Sequence, residues 1–104
     1  MDYPNLSIVV PVFNEEEVIE AFFARVTGLL KQNNIRCELI FVDDGSVDRT
    51  YELLCQCKEK SPGAVKVIRL ARNFGHQLAI TAGLRAARGA AVVVTDGDLR
   101  IRRR

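Results

Sequence analysis

Four pairs of polar residues in this chain of 104 residues each stand directly after an apolar run. Asn14 and Glu15 follow the first run, Asp43 and Asp44 the second, Arg72 and Asn73 the third, and Asp96 and Asp98 the fourth. The last pair, in Asp96-Gly97-Asp98, carries the sharpest chemistry. Two carboxylates one residue apart suit a single octahedral Mg2+ or Mn2+, held directly or through water. Such ions take one or two carboxylates, keep several waters and complete their shell with substrate phosphates. Gly97 lets a phosphate come close to the backbone. Arg72 offers donors that suit a phosphate, set against an ordinary surface ion pair. Neither GxGxxG nor GxxxxGK[ST] occurs, so a diphosphate has no glycine-rich cradle and its charge must be met by a metal. One aspartate after a strand is ordinarily a cap or turn residue. Four polar pairs in equivalent places point to a shared rim. His76, the single histidine, falls at a helix start and reads as structural or solvent-exposed.

The elements that must position these residues follow from periodicity. Leu6 to Phe13 is a β-branched run and predicts a strand. Val18, Ile19, Phe22, Phe23, Val26, Leu29 and Leu30 recur at helical spacing, with Glu15, Glu16 and Glu17 in the expected first turn and Asn33-Asn34 at the end. Glu38 to Val42 predicts a second strand, and Asp48 to Lys60 a helix capped by Ser46 or Asp48. Val65 to Leu70 is a third strand, Arg72 to Gly75 a loop, and Gln77 to Arg88 an alanine-rich helix with Gly89 as its expected C-cap. Ala90 to Thr95 is a fourth strand. The order βαβαβαβ predicts an α/β fold with a mostly parallel sheet covered on both faces. Ligands of such sheets bind at the carboxyl ends of the strands, which is where the four polar pairs fall.

Composition sets the class. Hydrophobic residues at 48% and charged residues at 27% describe one small globular domain. A net charge of +2 gives no reason to expect nucleic acid, and the crowded Arg100, Arg102, Arg103 and Arg104 read as a solvated tail. Cys37, Cys55 and Cys57 form neither a disulfide framework nor, with one histidine, a zinc site. The N-terminus has no basic-then-apolar leader, and no apolar run nears the roughly 20 residues of a membrane span, so the chain as given is expected to be cytoplasmic.

Taken in order, IVVPVFNEEE, ELIFVDDGSVDRT, RLARNFGHQLAITAGLRAARG and VVVTDGDL resemble family 2 glycosyltransferases, and within them the polyprenyl-phosphate sugar transferases. The stretches cover nearly everything up to Leu99. The resemblance implies a GT-A (Rossmann-like) fold and transfer of a sugar from a UDP- or GDP-linked donor, here to a lipid phosphate. It implies that Pro11, Phe13, Glu15, Val42 and Asp44 hold the nucleoside. Asp96, Gly97 and Asp98 would hold the metal and diphosphate, with Asp96 and Asp98 as the catalytic pair and Arg72 assisting the phosphates. The chemistry fits: a divalent cation stabilises the charge developing on a nucleoside diphosphate leaving group. A lipid phosphate is already an anion and needs little help from a base. The longer enzyme would work at the cytoplasmic face of a membrane.

The resemblance breaks after Leu99, where the family continues with Gln-Asp-Pro-Pro. Residues 1–99 are therefore expected to be the nucleotide-sugar-binding half of a domain truncated after its fourth strand, inactive by itself, and residues 100–104 a basic tail. One base deleted from codons for Gln-Asp-Pro-Pro gives Arg-Ile-Arg-Arg, so the tail is expected to be read out of frame. Two other readings stay open at this point. One is a different Mg2+-dependent α/β domain that handles phosphoryl groups, and the other is a non-enzymatic phosphate-binding module.

Overall fold

The strands alternate their faces with period two, and both faces are apolar because both are covered. In the computed structural model, which describes residues 4–95, the order is β1 (Leu6–Val12), α1 (Ile19–Gln32), β2 (Cys37–Asp43), α2 (Thr50–Lys60), β3 (Val65–Arg69), α3 (His76–Ala86) and β4 (Ala91–Val94). All strands are parallel, in the order β3-β2-β1-β4. Val12 pairs with Asp43, and Val9 with both Ile40 and Val94.

Ile8, Val10 and Val12 of β1, with Leu39 and Phe41 of β2 and Val65 of β3, face α1 and α2. There they bury Ile19, Phe23, Leu53, Leu54 and Cys57, and the Phe22 ring meets Phe41 edge-on at 6.3 Å. Val9, Ile40 and Val42 face the other way and are covered by Ala79, Ala82 and Ala86 of α3. The expected fold class therefore holds, with two helices on one face and one on the other.

From β1 the chain steps outward to β2 and β3, then returns through α3 to β4 on the far side of β1. The strand order reverses between β1 and β4, which marks the end of that crevice as the place for a ligand. β4 is an edge strand; its Val92 and Val93 are 42% and 49% exposed, and β1 is its single partner among the described residues.

Three local expectations are corrected. First, α1 begins at Ile19 rather than at the glutamates. Glu15 to Val18 form a turn closed by Val18 N–H on Glu15 O, and the Glu15 and Glu16 amides are spent on the next loop. Second, α2 begins at Thr50 with Arg49 at its N-cap position, so neither Ser46 nor Asp48 stands there. The Asp48 Oδ1 accepts from both the amide and the hydroxyl of Thr50, at 2.9 and 2.6 Å. Burial pushes this carboxyl up, but those bonds and the Glu16 amide outweigh it and hold it below its ordinary value.

Third, Gly89 is not a C-cap, because α3 ends at Ala86 and Ala87 is already extended. A Cβ on Gly89 would sit 2.7 Å from the Leu6 carbonyl carbon and the Ser7 nitrogen, so the residue is glycine to let the backbone pass β1. Its amide donates to Ser7 Oγ at 2.8 Å. Ser7 donates in turn to Glu38, which also receives Lys66 Nζ at 2.8 Å and the Arg88 amide at 2.6 Å. This buried knot fixes the end of α3 and the entry to β4, at the edge of the sheet opposite the polar rim.

Candidate active site at the carboxyl edge of the sheet

The rim is built by loops that brace one another. Asn14 takes a left-handed conformation at φ 50°, which asparagine tolerates better than most residues. Its amide donates to Ser46 Oγ at 2.8 Å, and its Oδ1 accepts the Val47 amide at 2.9 Å. Glu15 N–H donates to Thr50 Oγ1 at 2.8 Å, and Glu16 Oε1 accepts the Arg49 amide at 2.9 Å. The Asn-Glu-Glu and Asp-Gly-Ser segments thus close on each other reciprocally.

The two adjacent aspartates part company because consecutive strand residues face opposite ways. Asp43 is fully buried on the α1/α2 side. Its Oδ1 accepts the Ser46 amide, while its Oδ2 has no hydrogen bond and lies 3.9 Å from Arg69 Nε. Arg69 itself stacks on the Tyr51 ring at 4.2 Å. Asp44 points to the α3 side and clamps the Arg72–Gly75 loop. Its carboxylate accepts the Phe74 amide at 2.8 Å, the Gly75 amide at 3.1 Å and Asn73 Nδ2 at 3.2 Å. Gly45, at φ 78°, completes the clamp: a Cβ there would lie 2.3 Å from Arg72 C and 2.4 Å from Asn73 N.

Between these loops and the start of α3 lies a cleft of about 380 Å³. Pro11, Val12, Phe13 and Glu15 form one wall, Asp44 and Asn73 the floor, and Gly75, His76 and Ala79 the other wall. Four of the residues expected to hold a nucleoside (Pro11, Phe13, Glu15 and Asp44) are therefore brought together. Val42 is at 0% exposure beneath α3 and does not line this cleft. Arg72 lines a neighbouring groove that shares Phe13 and Asn73, and its guanidinium sits 4.6 Å above the Phe74 ring. Asp96, Gly97 and Asp98 lie outside the described residues. The last described residue, Thr95, donates its amide to Val9 O at 3.0 Å, two positions before Pro11 on the adjoining strand. Among the described residues no group of three His, Cys, Asp or Glu side chains could hold a metal.

Sequence reasoning missed Gly45, Gly75, His76 and Ala79 as parts of the site. The glycine of Asp-Asp-Gly-Ser carried a signal, since a positive φ beside a strand-end aspartate marks a tight turn. The partner of that turn, 27 positions further on, left no such signal.

Comparison with known proteins decides among the open readings. The profile described as Glycosyl transferase family 2 matches residues 7–103. The chain belongs to glycosyl transferase family 2. Its relatives include an uncharacterized glycosyltransferase, YkcC, of Bacillus subtilis, 50% identical over 89% of this chain and 28% of the relative. An undecaprenyl-phosphate 4-deoxy-4-formamido-L-arabinose transferase of Pectobacterium carotovorum is 39% identical, over 94% of this chain and 30% of its own length. A dodecaprenyl-phosphate galacturonate synthase of Rhizobium johnstonii is 40% identical, over 90% and 28%. The chain thus spans under a third of the length of these family 2 relatives. Among solved structures, a mannosyltransferase of Pyrobaculum calidifontis in complex with GDP-Man and Mn2+ superposes with a TM-score of 0.75. It is 28% identical, over 94% of this chain and 28% of that one. The four parallel strands and three helices are those of the GT-A, Rossmann-like fold.

Proposed function

We propose that this chain forms the donor-binding part of a glycosyltransferase that moves a sugar from a nucleoside diphosphate to a polyprenyl phosphate. The observation that carries this reading is the cleft at the carboxyl ends of β1 and β2, where Pro11, Phe13, Glu15 and Asp44 meet. Two polyprenyl-phosphate transferases among the relatives support the acceptor, and the GDP-Man complex supports the donor.

Asp96 and Asp98 would hold a Mg2+ or Mn2+, for which their hard oxygen donors are suited. The Asp44 oxygens are already engaged by the Arg72–Gly75 loop, so the described wall offers no competing metal site. When bound, the cation neutralises charge on the departing diphosphate. Pro11 and Phe13 offer apolar surface to the nucleoside, Asp44 holds the wall that closes on it, and Arg72, from the adjoining groove, assists the phosphates. Val42 supports the floor from below.

Residues 1–99 are the part that binds the nucleotide sugar, and residues 100–104 lie outside it. The 104 residues alone bind donor without transferring sugar, in keeping with their spanning under a third of the length of their relatives. The longer enzyme acts at the cytoplasmic face of a membrane; no helix among the described residues is long and apolar enough to cross one.

A panel of UDP- and GDP-linked sugars titrated into the chain with Mn2+ tests the donor, and the same mixture with a polyprenyl phosphate tests transfer. Binding without turnover is the expected result. Failure of every nucleotide sugar to bind contradicts the donor assignment, and turnover by the chain alone contradicts the division of labour.

A further inference from the structure

The donor cleft is rich in acceptors and short of donors. Glu15 and Asp44 bring carboxylates, which accept only. Asn73 spends its Nδ2 on both the backbone oxygen and the Oδ2 of Asp44, each at 3.2 Å. The remaining lining residues other than His76 have no polar side-chain atom. A nucleotide sugar, by contrast, presents a diphosphate made of acceptor oxygens and negative charge. On the described cleft wall the imidazole of His76 is the one side chain that can donate to it.

We propose that His76 is a donor-contacting residue whose imidazole hydrogen-bonds to a diphosphate oxygen of the nucleotide sugar, and that its protonation tightens binding. This rests on the cleft being the nucleotide-sugar site. His76 is exposed on the wall with Glu15 and Asp44, and no hydrogen bond to another described residue holds its imidazole. Among the described residues, the charged groups on this cleft and the groove beside it are Glu15 from the β1–α1 loop, Asp44 at the end of β2 and Arg72 from the β3–α3 loop. Carboxylates and guanidinium groups ordinarily titrate outside the range of roughly pH 5.5 to 8 in which histidine changes charge. A gain in affinity across that range therefore reports the imidazole. The bond formed is one N–H donating to one phosphate oxygen, and no covalent step is involved.

The test uses the full chain with Mn2+ and two probes, UDP-glucose and GDP-mannose. Sugar nucleotides are chosen because their diphosphate is esterified at both ends and holds no proton in this range, unlike free UDP or GDP. Affinity is measured from pH 5.5 to 8 for the unaltered chain and for His76→Gln. His76 is the single histidine, so its imidazole resonance gives a direct second readout. The unaltered chain is expected to bind the preferred probe roughly threefold to tenfold more tightly at pH 5.5 than at pH 8. His76→Gln is expected to bind with a flat profile near the high-pH affinity, and the imidazole resonance to shift and titrate higher when donor is bound. Parallel pH profiles for the two proteins, or an imidazole resonance unmoved by saturating donor, would overturn the assignment of His76 while leaving the donor site standing. Absence of binding by either probe at every pH would overturn the donor site and this proposal together.

Discussion

Gly45→Ala should unclamp the wall of the cleft. The added methyl would lie 2.3 Å from Arg72 C and 2.4 Å from Asn73 N, both backbone atoms that no side-chain rotation can move aside. Restoring ordinary contact at 3.4 Å shifts the Arg72–Gly75 loop by about 1 Å. The bonds from Phe74 and Gly75 to Asp44 are 2.8 and 3.1 Å long, so a displacement of that size carries them beyond hydrogen-bonding range. Losing a bond to a charged acceptor costs about 1.5 to 3 kcal/mol. Holding alanine at φ 78° adds about 1 kcal/mol. The loop can instead swing away and spare the fold, in which case the cost appears as lost donor affinity. The sum of the two losses, stability by urea denaturation and affinity by calorimetry, should reach about 4 to 7 kcal/mol. A variant that keeps both within about 0.5 kcal/mol of the parent would refute the clamp.

Other outcomes follow from the same contacts. Glu38 is pushed up by burial, but bonds from Lys66, Ser7 and the Arg88 amide outweigh this and hold it below its ordinary value of 4.5. Its contribution to stability is therefore present above pH 4.5 and lost as pH falls through the lower folded value. Glu38→Gln should lose about 2 kcal/mol at pH 7 and show a flatter acid limb in urea denaturation at a series of pH values; an unchanged limb would contradict this. Asn14→Ala removes the acceptor of the Val47 amide and strains φ 50°, and should cost about 1 to 2 kcal/mol. Asn14→Gly relieves the strain alone and should recover about half of that loss, as read from thermal melts.

The layered α/β fold was legible because both signals that define it are local. Period-two runs and helical spacing survive in any window of a dozen residues, and they placed every element within a few residues of its true limits. The rim was legible for a topological reason: strand-end residues of a parallel sheet share an edge whatever their distance in sequence. What escaped was the use to which each residue is put there. Asp43 and Asp44 look alike in sequence, yet alternation buries one against α2 and sets the other on the cleft floor. Gly89 has the residue type of a helix stop, and only the passing of Leu6 and Ser7 explains it. Glu15 to Glu17 suit a helix start electrostatically, but the amides of Glu15 and Glu16 find side-chain acceptors in the neighbouring loop and delay the helix. The clamp made by Asp44, the glycine at 89 and the Glu15 and Glu16 amides each depend on a partner more than 25 residues away, which no local pattern encodes.

The central claim is that this cleft binds a nucleotide sugar through a divalent cation held by Asp96 and Asp98. Calorimetric titration of UDP- and GDP-linked sugars into the chain, with Mn2+ and again with excess EDTA, tests it most directly, with Asp98→Ala as the companion. Binding is expected with Mn2+, a loss of at least tenfold in affinity with EDTA, and the same loss in Asp98→Ala with its melting temperature unchanged. Equal affinity with and without the metal, or full metal-dependent binding by Asp98→Ala, would contradict the account.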